Sequence, residues 1–82
     1  MKELQETTAM MCSADYKDRF AAEYIQLRIR TERLETMIKK WDDGKLDFAP
    51  RSPRSSYELQ LRAMHQYLSI LELRAEIEGI KI

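Results

Sequence analysis

The side chains in this sequence best suited to chemistry are its arginines and tyrosines. Arginine offers a planar fork of donors that matches phosphate or carboxylate, and tyrosine a flat face on which a base can stack. Catalytic constellations are missing. There is no glycine-rich phosphate loop, no nucleophile with a recognisable base and no carboxylate pair at metal-site spacing. The single histidine, His65, and the single cysteine, Cys12, stand apart, so no metal, no disulfide and no cofactor is expected. Binding without turnover is the chemistry this reading expects, and the chain is read as not an enzyme.

Helices must position those groups. Phe20, Tyr24, Leu27, Thr31, Leu34, Ile38 and Trp41 follow one another at alternating spacings of four and three, the seam of a heptad-patterned helix. Ser13 is the expected N-cap, Asp15 and Asp18 suit the positive end of the helix dipole, and Lys39 and Lys40 suit the negative end. A helix over about 13–42 would be roughly 43 Å long at 1.5 Å per residue. Gly44 ends it. The connector over 43–52 is long and partly apolar, with Leu46 and Phe48 expected to tuck under the end of the bundle. Pro50 and Pro53 stiffen the approach to a second helix over about 53–79, whose start is marked either by Ser52 before Pro53 or by the capping box Ser55-x-x-Glu58.

The second helix carries Tyr57, Leu61, Met64, Leu68, Leu71 and Ala75 on a matching seam. The predicted fold class is therefore all-α: an antiparallel, coiled-coil-like two-helix hairpin over 13–82, preceded by a polar N-terminal arm over 1–12. Its register sets Trp41 opposite Tyr57, Leu34 beside Met64 and Leu27 beside Leu71. Trp41 is read as a core plug at the turn end, and Met37 and Met64 as packing residues. The same register lines Glu23 up with Arg74, Arg19 with Glu78 and Arg30 with Tyr67 along one edge of the seam. Such a strip either fixes helix register through complementary pairs or, where several copies meet, forms a pocket. In the pocket reading the ligand-binding set is Arg19, Glu23, Tyr24, Arg30, Tyr67, Arg74 and Glu78. Arg28, Arg30 and Arg33 point in different directions at 100° per residue and do not form one phosphate-binding face.

A second apolar stripe on the same helix, Ala63, Gln66, Ile70, Leu73 and Ile77 with Ile80 beyond, cannot be covered by a helix lying on the other seam. With 82 residues, no disulfide and no metal, a lone core contributes only about 3–5 kcal/mol. Self-association into a homo-oligomeric helical bundle is expected, with Ile70, Leu73, Ile77 and Ile80 at the interface. The charge is balanced, 14 basic against 14 acidic side chains, which argues against an acidic DNA mimic and makes nucleic acid an unlikely partner despite a mildly basic middle over 28–62. No apolar run suggests a membrane span or signal peptide, and one free cysteine suits a reducing compartment.

Three blocks carry a family resemblance: Tyr16-Lys17-x-Arg19 with Glu23-Tyr24-x-Gln26-Leu27; Trp41-x-x-Gly44-x-Leu46-x-Phe48-x-Pro50-x-x-Pro53; and Met64-x-x-Tyr67-Leu68-x-x-Leu71-x-x-Arg74-Ala75-x-Ile77-Glu78-Gly79-Ile80. From Tyr16 to Ile80 the chain resembles a family of small helical-hairpin proteins of tailed phages and prophages, related to the crAss-like group. The resemblance implies an accessory role in the cytoplasm of an infected bacterial host. By analogy with small non-enzymatic phage proteins, it suggests counteracting host defence by sequestering a phosphate-bearing signal, such as a cyclic nucleotide or an ADP-ribose derivative. The alternative expectation is an inhibitor or adaptor that binds a host defence protein through the apolar face of the second helix, with nucleic-acid binding the weakest of the three.

Overall fold

The computed structural model describes residues 3–82. Among them there is no strand. After a 3-10 turn at Leu4–Thr7 come three helices: α1 (Thr8–Met11), α2 (Tyr16–Asp42) and α3 (Arg54–Glu78). Two long helices were expected. The third is short and lies in the segment read as a polar arm, of which Met1 and Lys2 fall outside the described residues.

That segment is not loose. The 3-10 turn and α1 both pack on α2. Gln26 Nε2 donates to Thr7 Oγ1 at 2.8 Å and also reaches the Met11 sulfur. Thr7 Oγ1 in turn donates to the Leu4 carbonyl at 2.6 Å, which satisfies a hydroxyl that is fully buried. Arg33 pairs with Glu3 at 3.2 Å. Gln26 and Arg33 lie two turns apart, with the buried Ala22 and Ile29 at the same helical spacing. A second face of α2, off the heptad seam, is thus occupied from within the chain.

The N-cap of α2 is Asp15, not Ser13. Asp15 holds an extended backbone (φ −81°, ψ 120°), and its carboxylate accepts from the Lys17 N–H at 2.9 Å. Ser13 instead accepts from the Asp15 N–H and donates to Asp18, so it braces the cap rather than being it. At the other end Gly44, at φ +71°, closes the helix: its N–H bonds to the Trp41 carbonyl at 3.1 Å and the Lys45 N–H to the Lys40 carbonyl at 2.8 Å, a Schellman pair. α3 starts after Pro53, whose residue type makes no side-chain cap. Neither Ser52 nor Ser55 serves; Ser56 bonds back to the Pro53 carbonyl at 2.7 Å.

Trp41 meets Tyr57 edge-on at 5.8 Å, and Tyr16 bonds to Glu78 at 2.8 Å. With contacts at both ends, α2 and α3 run in opposite directions. Between these ends the core holds Phe20, Tyr24, Leu71, Ala75 and Ile80, flanked by Leu27 and Leu68. Ile80 is 8 % exposed, a correction to its expected place on the outer stripe. Gly79 at φ +69° turns the chain back, the Ile80 N–H bonds to the Ala75 carbonyl at 2.8 Å, and the Ile80 side chain folds over Ala75. At the connector, Leu46 is half-buried, but Phe48 is exposed and rims a shallow depression with Trp41 and Pro50. In all, the 25 residues of α3 bury only Leu71 and Ala75.

Candidate functional site

A polar cluster ties the two long helices together where the first turn of α2 meets the last turns of α3. Starting α2 at Tyr16 puts Tyr16 and Phe20 four residues apart on one face, their rings edge-to-face at 6.1 Å. Arg74 lies over the Phe20 ring, 5.1 Å from its centre. From there Arg74 Nη2 donates to the Tyr16 hydroxyl at 2.9 Å, and Nε donates to Glu78 Oε2 at 3.4 Å. The Tyr16 hydroxyl closes the ring by donating to Glu78 Oε1. The guanidinium is thereby held flat by three neighbours, while its Nη1 has no partner among the described residues.

The Tyr16 phenol is pushed up from its ordinary value, chiefly because it donates to the Glu78 carboxylate, with partial burial adding and Arg74 opposing. Tyr16 therefore stays a neutral donor near neutrality. Farther along the same edge, Tyr67 donates to the Glu23 carboxylate. Its ring is half-exposed.

The expected pairings are corrected here. Arg74 does not turn to Glu23: it pairs with Glu78, one turn away on its own helix. Glu23, left without that arginine, takes the Tyr67 hydroxyl. Arg19 donates to the Ser13 carbonyl at 2.8 Å, bracing the start of α2, and Glu78 goes to Tyr16 and Arg74. Arg30 is exposed and has no bonded partner among the described residues. Tyr24 is 9 % exposed and packs in the core, so its ring is not a free stacking platform. Two short groups result, Tyr16–Arg74–Glu78 and Glu23–Tyr67. Tyr16 was absent from the expected set; its signal was the aromatic pair it makes with Phe20 at helical spacing.

On the opposite edge, a cleft of about 380 Å³ has Tyr24, Thr31 and Leu68 at its base and Arg28, Glu32, Glu35, His65 and Glu72 around it. His65 Nε2 lies 3.5 Å from Glu35, and Arg28 is taken by Glu32 at 3.3 Å. Three carboxylates face one already paired arginine, a lining that repels phosphate. Among the described residues no group of histidine, cysteine and carboxylates could hold a metal ion, and no helix is long and apolar enough to cross a membrane.

Residues 14–77 match the family model described as Sequestin. That span contains Tyr16, Glu23, Tyr67 and Arg74, and Glu78 lies one residue beyond it. No curated protein and no solved structure matches the chain.

Proposed function

We propose that this chain, which belongs to the Sequestin family, is a non-enzymatic binding protein that sequesters a phosphate-bearing nucleotide signal. In this reading the helical hairpin assembles into a homo-oligomeric bundle, and the ligand lies in a pocket shared between copies. The setting is phage accessory function, countering host antiviral defence in the bacterial cytoplasm. The family name is consistent with sequestration.

The observation that carries the reading is the state of Arg74. Its guanidinium is already flattened between the Phe20 ring, Tyr16 and Glu78, yet the side chain is 45 % exposed and one donor edge is unoccupied. A preorganised fork loses less freedom on gripping a phosphate than a free arginine does. Exposed Arg30 adds charge, and the half-exposed Tyr67 ring offers a face to a base. Tyr24, being buried, drops out of that role.

Calorimetry with cyclic nucleotides and cyclic ADP-ribose isomers tests it. The intact protein binds at least one of them, and Arg74→Ala weakens that binding about 10- to 100-fold, the usual cost of a charge-assisted contact. Binding to none of them removes the reading. A second reading, a protein that grips a host defence factor through α3, is favoured by the exposure of Ile70, Leu73 and Ile77. It needs that surface to be free, so stable self-association through α3 counts against it.

A further inference from the structure

α3 carries a second, outward seam. Leu59, Ala63, Gln66, Ile70, Leu73 and Ile77 are all exposed, with Leu59 at 62 %, Ile70 at 54 %, Leu73 at 56 % and Ile77 at 75 %. Each lies two residues beyond a residue of the inner seam (Tyr57, Leu61, Met64, Leu68, Leu71, Ala75), about 160° around the helix axis. The outer seam therefore faces away from α2. Contiguous apolar surface of this kind marks an interface in a soluble chain.

Its spacing reads four, three, four, three, four, the same from either end. A pattern with that property is complementary to itself when reversed. We propose that α3 pairs antiparallel with α3 of a second copy about a two-fold axis passing beside Leu68. This register sets Leu59 against the second copy's Ile77, Ala63 against its Leu73 and Gln66 against its Ile70, and then the same three pairs again beyond the axis. Gln66 is the one polar member, and the two copies' Gln66 side chains flank the axis diagonally.

Charge chooses the occupant. On one flank of the seam lie Arg62, Ser69 and Glu76; on the other, Gln60, Tyr67 and Arg74. Antiparallel pairing joins like flanks, so Arg62 meets the second copy's Glu76 twice and Ser69 meets itself at the axis. Neither Arg62 nor Glu76 has an ion pair or hydrogen bond among the described residues of its own chain. A parallel pairing would place Arg62 against tyrosine and Ser69 against arginine, matching no charges. The other flank brings the two Tyr67 side chains, each bonded to its own Glu23, together at the axis. The second copy thus completes the edge on which Arg74 lies, and in this the inference rests on the shared-pocket reading above.

Charge reversal tests it without touching the core. Arg62→Glu alone and Glu76→Arg alone each place like charges opposite one another at two points, and sedimentation equilibrium is expected to show dimerisation weakened about tenfold. An equimolar mixture of the two variants regains the wild-type constant, because each copy now complements the other. In a Cys12→Ser background, mixed Ala63→Cys and Leu73→Cys chains form a disulfide-linked heterodimer under mild oxidation, whereas Ala63→Cys alone does not. A wild-type chain that stays monomeric at micromolar concentration, variants that self-associate like the wild type, or an Ala63→Cys homodimer would each overturn the pairing. Calorimetry separates the two ideas: a dimer in this register that binds no nucleotide sinks the proposed function and leaves the pairing, and a nucleotide-binding monomer sinks the pairing and the shared pocket but leaves sequestration by the single chain.

Discussion

Arg74 Nη2 donates to the hydroxyl of Tyr16 at 2.9 Å and so joins the last turns of α3 to the first turn of α2. Because the same hydroxyl donates to Glu78, one phenol at the start of α2 bonds both members of an ion pair on α3. The arrangement is sensitive to the charge on Glu78.

Glu78→Gln removes the largest cause of the raised Tyr16 value. An ultraviolet difference titration, with Tyr16→Phe as the blank, is expected to show Tyr16 ionising at lower pH in the variant. In the wild type the folded value lies above the unfolded one, near 10.0, so this group's contribution is present below pH about 10 and disappears as the pH rises through the folded value. An unchanged or upward shift in Glu78→Gln contradicts the assignment.

Arg54 grips Asp42 through both carboxylate oxygens at 2.8 Å and reaches Glu58 at 2.9 Å. These hydrogen bonds hold the Asp42 carboxyl below its ordinary 3.8. A depressed carboxylate stabilises the fold above its unfolded value and loses that contribution as the pH falls through the folded one. Asp42→Asn should melt below wild type at neutral pH by a small margin, the pair being solvent-screened, and the two curves should converge below pH about 3.8.

Leu71 is fully buried at the centre of the small core. Leu71→Ala is expected to cost about 2–5 kcal/mol in urea unfolding, lost transfer energy plus cavity. A loss under about 1 kcal/mol would mean that the core around Phe20 and Ile80 collapses into the space.

Gly79 sits at φ +69° with open space around it, so its requirement is conformational and not steric crowding. Gly79→Ala should destabilise by about 1–2 kcal/mol in thermal or urea melts, the cost of a side chain in left-handed backbone. Exchange protection at the Ile80 amide, which bonds to Ala75, should fall with it.

Gln26 is the main polar tie between α2 and the N-terminal turns. Gln26→Ala leaves the Thr7 hydroxyl with one bond fewer, and hydrogen exchange at residues 4–11 should quicken several-fold while α3 is unaffected. Equal loss of protection everywhere would show that these turns are integral to the global core.

Periodicity carried the all-helical class, because side-chain direction around an axis follows from residue spacing alone. Gly44 was legible as a helix stop, and the expected end of the second helix near 79 falls on Gly79, for an equally local reason: only a residue without Cβ takes a positive-φ backbone freely. The outer stripe from Ala63 to Ile77 could also be read, since no helix on the inner seam reaches around to cover it.

Position along the axis is a different matter. Spacing says which face a polar group occupies, but not which of several partners within reach it takes. Arg74 settled on Glu78 and Tyr16, Glu23 on Tyr67, and Arg19 on a backbone carbonyl. Ile80 was placed outside by extending a helical period past Gly79, where the left-handed turn sends it inward instead. The docking of the N-terminal turns includes a glutamine meeting a buried threonine 19 residues away, a contact with no periodic signature. Short-range steric rules reside in the chain itself. The choice among long, flexible side chains is made only when tertiary packing brings their partners within bonding distance.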